Sequence, residues 1–413
     1  MSDWGREALD ALDRADPLGA FREEFQLREG LVYLDGNSLG ALPRRTLARL
    51  EQTVAREWGE GLITSWLGAD WMAAPRRVGD KIARLLGADP GEVIVADSTS
   101  INLFKALTAA LSLRPERSVI LSETGNFPTD LYMMEGIAAF SGGRVRAEAV
   151  PGEAVLERLG KDVAVLLLTQ VHYKTGRSRD MAEVTRRAHE AGALVVWDLS
   201  HSAGAIPVDL NGAGADFAVG CGYKFLNGGP GAPAYIYAAR RHQAAAVPVL
   251  SGWFGHAAPF AFEDGYRAAP GIERFLCGTP PVLGLTALEC GVDLMAEADM
   301  SAVRAKSLQL GRVFMDLMDT HCGDHGFALV SPREDARRGS HVSYAHREGY
   351  GIMQALKERG VIGDFRDPDV LRFGLTPLYL RYADMLQAVL TIREVCETRA
   401  WDDPRWAVRA AVT

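Results

Sequence analysis

From residue 92 to residue 238, short runs of β-branched and aliphatic residues alternate with stretches whose apolar positions recur at helical spacing. The runs 93–96, 119–122, 163–169, 194–198, 217–220 and 234–237 are predicted strands, and 101–113 and 181–191 are predicted helices between the earlier ones. That alternation is the pattern of βαβ units, hence an α/β fold with a mostly parallel sheet flanked by helices. Ligands on such sheets bind beyond the carboxyl ends of the strands. The last stretch changes pattern: helix 302–320, strand 341–344, helix 351–359, strand 371–374 and helix 383–398 make a compact α+β unit. An amphipathic helix is predicted at 8–20.

Length and charge narrow the function. A chain of 413 residues exceeds one ordinary core, so three parts are expected. They are an N-terminal segment 1–50 packing on the small unit, a large domain 51–300 and a small α+β domain 301–413. A formal net charge of −8 leaves no basic excess to neutralise phosphates, which argues against nucleic acid or membrane partners and for a small-molecule substrate. Cys221, Cys277, Cys290, Cys322 and Cys396 are scattered without a C-x-x-C pair, so reduced thiols, no metal site and a cytoplasmic location are expected. The polar start, Met1, Ser2, Asp3 and Trp4, has no apolar signal core, and no run of about 18 apolar residues follows.

The chemistry-bearing residues sit just after the predicted strands. In DFAVGCGYKFLNGGPG (216–231), Lys224 lies among small and apolar neighbours that disfavour its charge and free its amine to attack a carbonyl, as a Schiff-base lysine requires. Asp198 ends the apolar strand of LVVWDLSHSAG (194–204), where a carboxylate can keep a pyridine nitrogen protonated, and His201 follows it. Thr99 and Ser100, in VIVADSTSIN (93–102), open a helix and offer hydroxyls and free amides to a phosphate. GNFPTD (125–130) offers Phe127 as an aromatic plate and Asp130 as a second acid. Each has a plainer structural alternative: a snorkelling lysine, a capping aspartate, a buried hydrogen-bonded histidine, a Pro-started helix. It is the four strand ends together, in this chain order, that point to a pyridoxal-phosphate (PLP) enzyme of fold type I, in the aminotransferase class V group.

The resemblance then sharpens to the kynureninase family. YLDGNSLGALP (33–43), DSTSINLFKAL (97–107), NFPTDLY (126–132), DLSHSAGAIPVDL (198–210), CGYKFLNGGPG (221–231), GWFGH (252–256), GTPPVL (278–283) and RFGLTPLYLRY (372–382) all look like that family's segments. The resemblance implies a seven-stranded sheet, pyridoxal 5'-phosphate as cofactor, and hydrolysis of L-kynurenine to anthranilate and L-alanine in tryptophan degradation, with 3-hydroxykynurenine as a further substrate. It assigns Lys224 to the Schiff base, Asp198 to the pyridine nitrogen, and Phe127 to stacking. Thr99 and Ser100 go to the phosphate, Asp130, Thr169 and His201 to the cofactor, and Tyr223 to both phosphate and proton transfer. Trp253 and Thr279 reach the neighbouring subunit's phosphate, which makes a homodimer with shared sites. Arg372 clamps the α-carboxylate in a bidentate pair, with Ser38 and Asn37 also at the substrate. Animal members, which prefer the hydroxylated substrate, carry asparagine at the position of Thr279 and a histidine in the counterpart of GLITSW (61–66).

Two other readings compete. A cysteine desulfurase, or another class V PLP enzyme, needs a nucleophilic thiol on an exposed loop, and only Cys322 in DTHCGDHG (319–326) suits. A non-catalytic PLP-binding regulatory module would need a binding region, and neither a DNA-binding region nor a basic tail is evident.

Overall fold

The structure, a computed structural model, describes residues 4–409; Met1, Ser2 and Asp3 of the N-terminal reading and residues 410–413 of the C-terminal one lie outside it. A two-residue strand, β1 (Val32–Tyr33), precedes the central sheet. The sheet's seven strands are β2 (Val93–Val95), β3 (Val119–Glu123), β4 (Arg146–Val150), β5 (Val163–Thr169), β6 (Leu194–Asp198), β7 (Phe217–Gly220) and β8 (Tyr235–Ala238). Their spatial order is β2-β8-β7-β6-β5-β3-β4, with β8 antiparallel to both its neighbours and the other pairs parallel. The fold is therefore the expected α/β arrangement with a mostly parallel seven-stranded sheet. All seven residues of β5 are buried, as a strand covered on both faces must be, and its VAVLLLT reads as one apolar run.

Two apolar layers cover the sheet. Helices Thr99–Ser112 and Pro128–Phe140 contribute Leu103, Leu107, Met134 and Ile137 on one face. Helices Ala74–Leu85, Met181–Glu190 and Val282–Glu297 contribute Val78, Ile82, Val184, Leu285 and Leu288 on the other. A third cluster joins Leu9, Leu18, Phe25, Val32 and Leu34 to helices Met300–Cys322 and Tyr382–Glu397. Four more strands lie beside it: β9 (Ala328–Leu329), β10 (His341–Ala345), β12 (Asp364–Arg366) and β13 (Val370–Gly374) form an antiparallel sheet in the order β12-β13-β10-β9, while β11 (Val361–Ile362) pairs in parallel with β1. No helix among the described residues is long and apolar enough to cross a membrane.

Two departures from the sequence expectation have simple causes. The predicted helix 8–20 stops early, spanning Arg6–Arg14, because Pro17 cannot continue it and disfavours helical backbone in Asp16. Strand β4 has no counterpart in the prediction: at the sheet edge its RAEAV is only partly covered and lacks an apolar run. Helices Ala74–Leu85 and Val282–Glu297 were likewise not predicted.

One buried carboxylate ties the sheet to its surroundings. Asp216, entering β7, accepts from Val195 N (2.9 Å), His189 Nε2 (2.8 Å), His242 Nε2 (2.8 Å) and Arg241 Nη2 (2.7 Å). Burial pushes its carboxyl up, but the hydrogen bonds from His189 and His242 outweigh burial and hold it well below the usual range. A depressed folded-state pKa gives stability that is present above the unfolded carboxylate value and lost as pH falls through the folded one. Asp216→Asn is accordingly expected to lower stability by about 2–4 kcal/mol at pH 7. The urea midpoints of variant and wild type should converge below about pH 4; a gap that stays constant down to pH 3 would contradict the charge-based account.

Candidate active site

The strand ends converge on a cavity of ≈ 600 Å³ lined by Thr99, Ser100, Phe127, Asp130, Thr169, Asp198, His201, Tyr223 and Lys224, with Asp97, Ser98, Thr129, Tyr173 and Ser200 among the other walls. Nine of the residues picked out in the sequence therefore meet in one place. Thr99 and Ser100 open the 14-residue helix Thr99–Ser112, whose N-cap Ser98 accepts from Ile101 N, so the helix's positive end faces the cavity. Before it, Asp97 adopts a left-handed φ of 47° and its carbonyl accepts from Ala234 N (2.8 Å). The Asp97 carboxylate pairs with Lys105, a fully buried lysine on the same helix, which offsets a negative charge where an anion would bind. The sequence reading missed this pair, although two turns of helix separate its members.

On the opposite wall Asp198 is buried and accepts from Ser200 N (2.8 Å). Burial pushes its carboxyl up, while Ser200 and the charge of Lys224 pull it down. Asp130, beside it, is pushed up by burial and by Asp198, and its Oδ1 has no partner. Thr169 donates to Asn126 Oδ1 (2.6 Å), which anchors the turn carrying Phe127. Lys224 Nζ lies 5.9 Å from the Phe127 ring centroid, 5.7 Å from that of Tyr223 and 3.1 Å from His201 Nε2. Burial and nearby acids push the Tyr223 phenol far up, so it is a proton-bearing donor at neutral pH.

A second cluster lies beside the cavity. Gly40 brings the N-terminal segment against the lysine loop: Gly40 N donates to the Tyr223 carbonyl (2.8 Å), and a Cβ at Gly40 would fall 2.3 Å from the Lys224 carbonyl oxygen. Only glycine permits that approach. Arg372 is fully buried, and it donates from Nε to Asp364 Oδ1 (2.7 Å), from Nη1 to the Tyr173 carbonyl (2.6 Å) and from Nη2 to Ser38 Oγ (3.0 Å) and Asp364 Oδ2. Its bidentate partner is thus Asp364 rather than a group in the cavity, and one Nη1 hydrogen is left over. Asp364 faces Arg372 across the β12–β13 ladder, so the pair is set by strand register. Despite burial, Arg372 holds Asp364 low; burial and Asp364 push Asp35 up, and Arg366 adds a second guanidinium. The cluster therefore favours an incoming carboxylate. Asn37 is buried with its amide unpartnered, against Gly374.

Trp253 and Thr279 do not line the cavity. Trp253 is 40% exposed, Thr279 is exposed, and the two segments run side by side through Phe254 N donating to the Cys277 carbonyl (3.1 Å). Trp66 of GLITSW packs near Phe254, 6.4 Å between ring centroids. Tyr173, which the sequence reading passed over, lines the cavity and sets its ring edge on Phe127 at 5.3 Å and 81°. Cys322 is not on an exposed loop: helix Met300–Cys322 carries it into the core at 1% exposure, and burial pushes its thiol up to about 12. It offers no nucleophile for persulfide chemistry.

These donors suit a phosphorylated pyridine aldehyde. An amine lies 5.9 Å from the centroid of an aromatic plate, and a buried carboxylate and a helix N-terminus with two hydroxyls line the same cavity, where Asp130 Oδ1 is buried without a partner.

Comparison with known proteins gives a consistent result. Residues 303–392 match the family model for the Kynureninase C-terminal domain. Over 413 residues the chain is 52% identical to the kynureninase of Burkholderia pseudomallei strain K96243, covering 99% of each, and over 409 residues 49% identical to that of Pseudomonas fluorescens, covering 98% of each. Among solved structures, it superposes on the apo cysteine desulfurase of Thermococcus onnurineus NA1 with a TM-score of 0.76 at 17% identity, over 92% of this chain and 98% of that one. The cysteine desulfurase CsdA of Escherichia coli gives 0.76 at 20% identity, again over 92% and 98%. At those identities the likeness is one of fold.

Proposed function

The chain belongs to the kynureninase family, and on that premise we propose that it hydrolyses the Cβ–Cγ bond of L-kynurenine to anthranilate and L-alanine with pyridoxal 5'-phosphate. The observation that carries the reading is the single cavity in which Lys224, Asp198, Phe127 and the helix start at Thr99 meet. Lys224 would hold the cofactor, Thr99 and Ser100 its phosphate, Asp198 its ring nitrogen, Phe127 its face, and Asp130, Thr169 and His201 its remaining edge. Bound there, pyridoxal phosphate supplies an electron sink for carbanions formed on the substrate.

The chain's own groups do the rest. Arg372, held rigid by Asp364, Ser38 and the Tyr173 carbonyl, presents its remaining Nη1 hydrogen to the α-carboxylate, with Arg366 adding charge and Asn37 lying behind Ser38. Lys224 Nζ would take the α-proton from the substrate and hold it for return later in the turnover. Tyr223, protonated at neutral pH, serves the ketone oxygen during hydration and then the β-carbon. Mixing purified protein, pyridoxal phosphate and L-kynurenine should give growing anthranilate fluorescence and equimolar alanine; sulfide from L-cysteine without anthranilate would overturn the reading.

A homodimer with shared sites completes this proposal. Trp253 and Thr279 lie away from the cavity, and exposed Trp58, Leu62, Ile63, Leu67, Phe260 and Leu283 add apolar surface that a second copy would cover. Lys224→Ala mixed with a Trp253→Ala/Thr279→Ala variant should regain activity, because each mixed dimer would own one complete site. Random reassortment makes half of the dimers mixed, so recovery should approach about a quarter of wild type. Mixed dimers that form yet stay inactive would disprove sharing.

Ring specificity follows from the same surface. In 61–66 the Thr64 hydroxyl donates to the Gly61 carbonyl (2.6 Å) and that of Ser65 to the Glu57 carbonyl (2.5 Å), so neither has a proton left to donate to a substrate hydroxyl. Thr279 is the short side chain where hydroxyl-preferring relatives have asparagine. Desolvating a ring hydroxyl without a partner costs roughly 1–3 kcal/mol, so kcat/KM for kynurenine should exceed that for 3-hydroxykynurenine by about tenfold to a hundredfold. Equal values would mean that a bridging water serves the hydroxyl.

A further inference from the structure

His341, the first residue of β10, is completely buried, and neither of its ring nitrogens has a hydrogen-bond partner. Native folds rarely leave a buried polar side chain so placed. Its ring lies 5.6 Å from that of His201, tilted by 55°, and His201 is itself buried with Nδ1 unpartnered. Two unmet polar edges, one from the central sheet and one from the C-terminal sheet, thus stand side by side next to the cavity.

The other side of His201 sets the direction of their interaction. Its Nε2 is 3.1 Å from Lys224 Nζ; toward the N–H donors of that amine Nε2 accepts, which puts the ring proton on Nδ1. That is the nitrogen without a partner. Burial, reinforced by the charge of Arg372, pushes His341 down to about 3, which leaves it neutral with one nitrogen free to accept. The titratable and charged groups around it are Arg372 on β13, Asp364 on β12, His172 after β5, Lys224 and His201.

We propose that His341 is a positioning residue: it accepts from His201 Nδ1, directly after a small ring rotation or through one water, and so keeps His201 Nε2 turned to Lys224 as an acceptor. The proposal rests on the reading of Lys224 and His201 as cofactor-site residues. Without His341 the His201 ring is free to exchange tautomer or turn, and the amine loses a fixed acceptor.

Holoenzyme variants test this. A glutamine at 341 still accepts through its amide oxygen, and a phenylalanine fills the space without accepting; His341→Leu replaces the latter if it fails to fold. His341→Phe should lower kcat about tenfold with KM little changed, and move the pH midpoint of the cofactor's near-visible absorbance by about half a unit or more. His341→Gln should restore both to within about threefold of wild type. In a His201→Phe background, where Nδ1 is gone, His341→Phe should add nothing. Equal damage from Gln and Phe, an unmoved midpoint with wild-type turnover, or an undiminished effect in the His201→Phe background would each overturn the proposal. Failure of the underlying reading looks different: the wild-type protein would show no near-visible band with pyridoxal phosphate, and the proposal would fall with it.

Discussion

Replacing Lys224 by alanine is expected to abolish the near-visible absorbance that develops when the protein is loaded with pyridoxal phosphate, and to reduce anthranilate formation by more than about three orders of magnitude. The size of the effect follows from the number of roles the amine plays. In the proposed reaction it would hold the cofactor covalently between turnovers and also carry the α-proton. Its surroundings leave no substitute: Lys224 Nζ stands among the Phe127 and Tyr223 rings and His201, and the buried lysine close to the cavity, Lys105, is engaged with Asp97 and the Phe275 carbonyl. The thermal midpoint of the apoprotein should change little, because among the described residues Lys224 has no carboxylate within salt-bridge distance and its polar partner is His201, 3.1 Å away. An absorbance band retained in the variant would require a different lysine and would remove the central assignment.

Asp198→Asn should fold, bind pyridoxal phosphate more weakly, and lose about 10²–10³ in kcat, the scale seen when one preorganised electrostatic partner of a reaction is removed. The carboxylate is buried at the end of β6, where burial outweighs the pull of Ser200 and Lys224 and leaves its carboxyl raised, so a cationic partner is what would hold its charge. A protonated pyridine nitrogen is such a partner, and in a low-dielectric site the pair is worth far more than in water. Asparagine keeps the acceptor for Ser200 N and the shape but cannot keep that nitrogen protonated, so electron withdrawal from the substrate carbanion weakens. Loss in kcat with nearly unchanged KM is the expected signature. Turnover like that of wild type would shift the role to Asp130, the other buried carboxyl in the cavity.

The strand-end residues were legible in the sequence because their chemistry is local. Asp198, Lys224, Thr99 and Phe127 each follow an apolar run within a few residues, a parallel sheet brings such ends to one edge, and chain order then distinguishes a cofactor site from four unrelated turns. Glycines carry further information: Gly40 of GNSLG lies against the Lys224 backbone, where a side chain has no room. Tertiary structure alone decided the rest. Arg372 and Asp364 are paired by the register of an antiparallel ladder. His341 becomes a neighbour of the site only when the C-terminal sheet docks beside it, and Cys322 is withdrawn from solvent by the continuation of its helix. Trp253 and Thr279 share an exposed surface outside the cavity. Periodicity and short motifs report which face of an element is apolar and what ends it; they carry no signal for which distant side chain fills the remaining hydrogen bond, since that depends on the packing of whole elements against one another.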